Sequence, residues 1–342
     1  MSISAQPNPA MPNVYLNERS LPQSTLRLVR EIAADKVATQ PILTVIVVAY
    51  RHERYIEECL ESINHAADQS IEVLIIDDGS PDGTLQKCLD FHFRPDINVR
   101  VYTKTNQGLV HSLFYGLKLA RGRYTSFMAS DDCYMTHGLD AALSYLQDNP
   151  TVDALLCQAE TIGLIGGKIY GAKMDEFFGL TPLARLEAIW SEVPAPMLLQ
   201  ATVFDTNFLR SLHPWEDDLE LDDWPMFIRV FAAETVFGAQ VIYCPKIVLS
   251  KYRMHAEGSH TNLDRHLRLI TEVINEFVPV KYRNISLANT RVDMGIAYCR
   301  SGRILKGVSL LSRAIYANAP LHSAVRTLKR AACFIGKRLR FL

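Results

Sequence analysis

Paired cysteines are missing from this 342-residue sequence: Cys59, Cys88, Cys133, Cys157, Cys244, Cys299 and Cys333 lie far apart, with no C-x-x-C pair. That spacing suits reduced thiols, argues against a zinc site or a disulfide framework, and points to the cytosol. A charge excess is missing too. Thirty-six Lys and Arg stand against 37 Asp and Glu, a formal net charge of -1, so nothing supports duplex-wide nucleic-acid binding and any anionic partner must meet a local site. No apolar run approaches the roughly 20 residues that span a bilayer. The polar, Pro- and Asn-rich start, Met1 to Pro22, lacks the charged and apolar regions of a signal peptide. The expectation is a cytoplasmic protein, neither secreted nor threaded through a membrane. What is present is a core-forming composition, 48% hydrophobic and 21% charged, which excludes disorder for most of the chain and suits about two domains.

Residues 1–40 read as a loose extension with one short helix near Leu26 to Asp35, and Pro41 punctuates the entry to the ordered chain. Ile42 to Ala49 is a continuous β-branched run, the pattern of a strand buried on both faces of a parallel sheet. Ile56, Cys59, Leu60 and Ile63 then recur at helical spacing, and Ile71 to Ile76 gives a second buried strand. The alternation continues with helix at Thr84 to Phe91, strand at Asn98 to Thr103, helix at Leu109 to Ala120 and strand at Tyr124 to Ala129. Such βαβ units predict an α/β fold with an open, mostly parallel or mixed sheet flanked by helices. Beyond Pro150 the pattern is mixed: strand at Val152 to Cys157, a Gly-rich turn at Gly166-Gly167, helix near Leu183 to Trp190, and strand at Val241 to Lys251. From Leu263 the chain reads as helical.

Ligands of open α/β sheets bind outside the carboxyl ends of the strands. Three of the first four strands end there in polar groups: Tyr50-Arg51-His52, Asp77-Asp78, and Ser130-Asp131-Asp132. Adjacent carboxylates in such a loop form a hard-oxygen site for Mn²⁺ or Mg²⁺, which share their shell with phosphates; an isolated S-D-D would be a solvated turn. Asp77-Asp78-Gly79-Ser80-Pro81-Asp82-Gly83 reads both as a turn capping the next helix and as a nucleotide contact through Asp78. Asn106-Gln107-Gly108 is either a turn or part of the same site.

These residues, with Val45 to Tyr50, Tyr55 to Ile63, Ile75 to Thr84, Asn106 to Leu109 and Ala120 to Tyr124, resemble in order and spacing the successive blocks of glycosyltransferase family 2. The resemblance runs from Pro41 to about His260 and implies an A-type glycosyltransferase fold with a nucleotide-diphospho-sugar donor. A catalytic domain over 41–260 would divide into a nucleotide-sugar half, 41–150, and an acceptor half, 151–260. Ala49, Tyr50 and Glu53 would then line the base pocket, Asp78 bind the base, and Asp131 face the ribose or sugar. Asn106, Gly108, Ser130 and Arg253 would also serve the donor, with Asp132 holding the metal. Arg51-His52 departs from the family where Asn often follows the Tyr, and Ser130 replaces the first carboxylate of its D-x-D-like motif.

Transfer to a hydroxyl needs a general base. The acidic stretch from Glu216 to Asp223 would ordinarily be a solvated loop, but Asp222-Asp223-Trp224 with Arg229 resembles the family's acidic pair, aromatic and downstream Arg. Asp223 thus inherits the base role, with Asp222 as runner-up. Tyr252-Arg253-Met254-His255 resembles the block closing over the donor diphosphate and makes His255 a metal or diphosphate contact. Asn289 to Pro320 resembles one tetratricopeptide-like helix pair within a helical region, 261–342. Leu321 to Leu342 reads as a basic amphipathic helix that either touches the anionic inner leaflet or caps the core with a solvated face. The resulting expectation is an inverting, metal-dependent transferase acting on a glycan or lipid-linked acceptor in bacterial surface polysaccharide or lipopolysaccharide synthesis. Two alternatives stay open. A nucleotidyltransferase would want glycines that Tyr50-Arg51-His52-Glu53 lacks, and a non-catalytic scaffold would suit the Ser130 departure.

Overall fold

A computed structural model describes residues 25–34, 40–65, 70–163, 166–191, 197–216, 219–255 and 262–316. In chain order its strands are β1 (Arg27–Ile32), β2 (Leu43–Ala49), β3 (Ile71–Asp77), β4 (Asn98–Thr103), β5 (Tyr124–Ala129), β6 (Cys133–Tyr134), β7 (Ala154–Gly163), β8 (Gly167–Lys168), β9 (Thr202–Asp205) and β10 (Val241–Met254). The helices are α1 (Ile56–Asn64), α2 (Thr84–Asp90), α3 (Leu109–Leu119), α4 (Gly138–Asp148), α5 (Ala172–Phe178), α6 (Pro182–Ser191), α7 (Thr206–Ser211), α8 (Trp224–Phe237), α9 (Leu263–Phe277), α10 (Val280–Arg300) and α11 (Ile304–Tyr316).

Every residue of β2 and β3 is buried, as continuous β-branched runs covered on both faces require. The strands lie in the order β1-β4-β3-β2-β5-β9-β7-β10-β6, with β8 beside β7. β4, β3, β2 and β5 are mutually parallel, and β10 runs parallel to β7. The sheet becomes mixed where β9, a strand the sequence pattern does not announce, inserts antiparallel to both β5 and β7. The α/β expectation holds.

The predicted helix near Leu26 to Asp35 is instead β1, antiparallel to β4 from Arg27↔Thr103 to Ile32↔Val99. The physical reason is tertiary. The outer edge of β4 presents unpaired N–H and C=O groups that a second strand satisfies, and Arg30 donates to the Cys88 and Phe91 carbonyls at 3.1 and 2.8 Å near the end of α2. β7 extends past the predicted Cys157 to Gly163 because β10 continues beside it. The β10 register jumps between Cys244 and Val248, across Pro245, which cannot donate to the ladder.

One buried ionic network locks the central strands. Glu72 accepts from Arg100 Nη2 at 2.6 Å, from Thr44 Oγ1 at 2.8 Å and from the Arg121 N–H at 3.0 Å. Arg100 also donates to the Leu119 carbonyl at 2.8 Å, so the charges pin β2, β3, β4 and the end of α3 to one another.

The chain groups into two compact units, Asn17–Pro182 with Ala195–His255 forming the sheet unit, and α6 grouping with the C-terminal helices. In the helical unit, Met294, Tyr298 and Leu310 pack with Leu263 and Leu267. Asp264 accepts from Tyr298 Oη at 2.8 Å and pairs with Arg303 at 2.5 Å and with Lys306. α10 and α11 meet at glycine: a Cβ on Gly307 would lie 2.7 Å from the Gly295 carbonyl oxygen and 2.3 Å from Cys299 Sγ. Among the described residues no helix is long and apolar enough to cross a membrane. The basic segment Leu321 to Leu342 and Cys333 lie outside them. Gly307→Ala should force α10 and α11 apart at a cost of about 1–3 kcal/mol, seen as lost amide-exchange protection in both helices while the sheet strands keep theirs.

Candidate active site

Parallel pairing of β2 with β5 ends both strands side by side, with the Ser130 N–H donating to the Val48 carbonyl at 3.1 Å. Three residues, Ser130-Asp131-Asp132, separate β5 from β6, and β6 pairs antiparallel with β10 through Tyr134↔Ser250 and Cys133↔Lys251. The turn therefore joins the interior of the sheet to the strand that ends in Tyr252-Arg253-Met254 and leads into His255.

Arg253 grips that turn. Its N–H donates to Asp132 Oδ1 at 2.7 Å, its Nε donates to the Asp131 carbonyl at 2.7 Å, and its Nη2 pairs with Glu58 at 2.5 Å. The guanidinium lies over Tyr55, 5.0 Å from the ring centroid. Gln200 Nε2 fills the other Asp132 oxygen at 3.0 Å. Asp132 is buried; burial, then the Asp131 charge, pushes its carboxyl well above the ordinary range against the pull of Arg253 and Gln200.

Asp131 meets imidazoles instead. His255 Nε2 lies 2.9 Å from Oδ2 and His52 Nδ1 lies 3.6 Å from Oδ1. His52 Nδ1 is also 2.8 Å from the buried Ser130 hydroxyl, while His255 Nδ1 is buried with no hydrogen-bond partner among the described residues. The ligand atoms of His52, Asp131 and His255 all lie within 4.8 Å of one another. One carboxylate and two imidazoles fit a divalent transition ion such as Mn²⁺ better than Mg²⁺, which prefers an all-oxygen shell. The structure thus brings Asp131, rather than Asp132, to His255.

The Asp77-Asp78 corner is saturated by the protein. Asp77 accepts from the Gly79 N–H at 3.1 Å and Thr103 Oγ1 at 2.9 Å, and Gly79 at φ +69° lets the chain turn back, a Cβ there meeting the Lys104 carbonyl at 2.8 Å. Asp78, buried, pairs with Lys104 and accepts from the Gln107 and Gly108 N–H groups at 2.9 and 2.8 Å. Its carboxylate holds the loop carrying Asn106, which is exposed. Ala49 is buried and its carbonyl takes the Asp78 N–H at 2.8 Å; Tyr50 is exposed at the strand end. Glu53 accepts the Gly83 N–H at 3.1 Å. Arg51 sits at φ +58°, a left-handed conformation that Asn adopts more readily than Arg.

Asp223 begins α8, accepting its neighbour's Trp224 N–H at 2.6 Å. Burial first, and the charge of Asp222 second, push its carboxyl up to about 7. The Asp222 carbonyl is held by the Trp215 indole at 2.9 Å. Burial first, and then the charges of Asp132, Asp131, Asp223 and Asp222, push the Tyr252 phenol up to about 12. Asp217 and Asp218 lie outside the described residues.

Sequence reading placed His52 at a strand end but gave it no role, and passed over Glu58, Lys104 and Gln200. Only the strand-end position of His52 could have flagged it; the others gain meaning from partners 26 to 195 residues away.

Residues 44–180 match the family model described as glycosyl transferase family 2. Curated relatives include an uncharacterized glycosyltransferase of Rickettsia bellii, 22% identical over 69% of this chain and 33% of its own length. Another, from Haemophilus influenzae, is 32% identical over 37% of this chain and 41% of its own length. The chain thus spans well under half the length of these two relatives. Among solved structures, S. aureus TarS 1-349 in complex with UDP-GlcNAc is similar at a TM-score of 0.54 and 20% identity, over 82% of each chain. The mannosyltransferase PcManGT from Pyrobaculum calidifontis in complex with GDP-Man and Mn²⁺ is similar at 0.51 and 22%, over 91% of this chain and 85% of that one. At these identities the structural likeness establishes the A-type glycosyltransferase fold.

Lys104→Met should leave the Asp78 carboxylate buried without its counter-charge, lowering the unfolding free energy by about 3–5 kcal/mol. Urea unfolding of the full chain, read against the parent protein, checks it.

Proposed function

We propose that this chain, whose residues 44–180 match the model of glycosyl transferase family 2, transfers a sugar from a nucleotide-diphospho-sugar to a hydroxyl of a glycan or lipid-linked acceptor. The observation that carries the reading is the meeting of Asp131 and His255 at the carboxyl edge of the sheet, with Ser130 and Arg253 around them. Both solved relatives hold a nucleotide-diphospho-sugar, one of them with Mn²⁺, which supports the donor class and a bound ion. A divalent ion there, Mn²⁺ or Mg²⁺, supplies positive charge that stabilises the departing nucleoside diphosphate.

Asp131 and His255 are the proposed ligands, with Asp132 in a positioning role, since its oxygens fix Arg253 and Gln200. Asp78 likewise positions the loop of Asn106 and Gly108 on the donor side, where Ala49, Tyr50 and Glu53 end or follow β2. Asp223 is the proposed general base, with Asp222 the alternative. It takes the acceptor proton as the hydroxyl oxygen bonds to the anomeric carbon and the bond from that carbon to the diphosphate oxygen breaks. A single in-line displacement inverts the carbon and needs no covalent intermediate. A surface-polysaccharide or lipopolysaccharide intermediate is the acceptor class that the family resemblance favours.

Incubation with a panel of UDP- and GDP-sugars, with and without Mn²⁺, should release nucleoside diphosphate from one donor in an ion-dependent way; no release from any donor would defeat the reading. Asp223→Asn should lower kcat by about 10²–10⁴-fold with donor affinity little changed. A base acts only when ionised. With the Asp223 carboxyl at about 7, kcat/KM should climb as pH rises to about 7 and level off above it, and that limb should vanish in Asp223→Asn. Transfer left intact by both Asp131→Asn and Asp223→Asn would sink the site assignment.

A further inference from the structure

We propose that His52 is a third protein ligand of the divalent ion, so that the bound ion fastens the loop after β2 to the ends of β5 and β10. The inference rests on the metal-dependent reading of the site given above. His52 and His255 address opposite oxygens of one carboxylate, at 3.6 and 2.9 Å. The three ligand atoms span at most 4.8 Å, whereas donors on opposite sides of an ion with bonds of about 2.1 Å are about 4.2 Å apart. A small side-chain rotation closes that gap.

The His52 backbone is fixed independently of its ring. Its N–H donates to Thr84 Oγ1 at 2.9 Å and its carbonyl accepts from the Tyr55 and Ile56 N–H groups at 2.9 Å each, starting α1. Tyr55 flanks both imidazoles, with centroids 6.2 Å from His52 and 5.1 Å from His255, and the two imidazoles stand edge-on at 83°. Ser130 Oγ, 2.8 Å from His52 Nδ1, is a rotatable hydroxyl that yields the nitrogen to the ion. A neutral imidazole as third ligand adds affinity without adding negative charge. Two nitrogens and one oxygen favour Co²⁺ and Mn²⁺ over Mg²⁺ and leave open positions for diphosphate oxygens.

The test is calorimetric titration of the full chain with Mg²⁺, Mn²⁺ and Co²⁺, paired with the visible absorption of bound Co²⁺. Wild type, His52→Ala, His52→Gln and Asp131→Asn are compared. Both His52 variants should weaken Co²⁺ binding about tenfold or more, change Mg²⁺ binding by less than about threefold, and shift the Co²⁺ bands as one nitrogen leaves the shell. His52→Gln keeps a polar partner for Ser130, so a loss shared by both variants belongs to the missing ligand. Unchanged Co²⁺ affinity and bands in the His52 variants, with binding lost in Asp131→Asn, would overturn the role of His52 and leave the metal site standing. Binding absent in wild type, or indifferent to Asp131→Asn, would overturn the metal site and this inference with it.

Discussion

The grip of Arg253 on the Ser130-Asp131-Asp132 turn is the constraint on which the site depends. One residue near the end of β10 spends its N–H on the Asp132 carboxylate, its Nε on the Asp131 carbonyl and its Nη2 on Glu58 of α1. The antiparallel pairing of β6 with β10 sets the register at which this happens. His255 follows two residues later and therefore arrives at Asp131 rather than elsewhere along the edge. The ion pair with the exposed Glu58 adds little by itself; the geometry is fixed by the bonds to the buried Asp132 carboxylate and to the Asp131 carbonyl, which would lose donors if this contact were broken.

A division of labour among the acidic residues follows. Asp77, Asp78 and Asp132 have their oxygens filled by protein donors, and each holds a loop in place. Asp131 faces two imidazoles. Asp223 is kept in a surround that favours its neutral form, which suits the proton-accepting role proposed for it. Chemistry at a strand edge needs both kinds: anchors whose valences are spent inside the fold, and carboxylates left facing ligand.

The first half of the sheet was largely legible before folding. Ile42 to Ala49, Ile71 to Ile76, Asn98 to Thr103 and Tyr124 to Ala129 are β-branched or apolar runs of strand length separated by helical spacing, and each holds a strand. β1 misled because Arg27–Ile32 has no strand alternation of its own; it is a strand since β4 offers an edge. β9 was invisible because Thr202–Asp205 is only four residues long and is defined by the two strands it separates.

For the site, the sequence alone determined which strand ends carry polar groups, since a parallel sheet sends all its carboxyl ends to one edge. It therefore delivered Asp131, Asp132, Asp223, Arg253 and His255 as candidates, in ordered blocks that resemble those of family 2. Tertiary structure alone decided which carboxylate of the S-D-D turn faces the imidazoles. Adjacent residues in a turn point in different directions, and the choice between them depends on Gln200 and Arg253, which lie 68 and 121 residues further along the chain. It also brought His52 beside Asp131, because two neighbouring strands end together there.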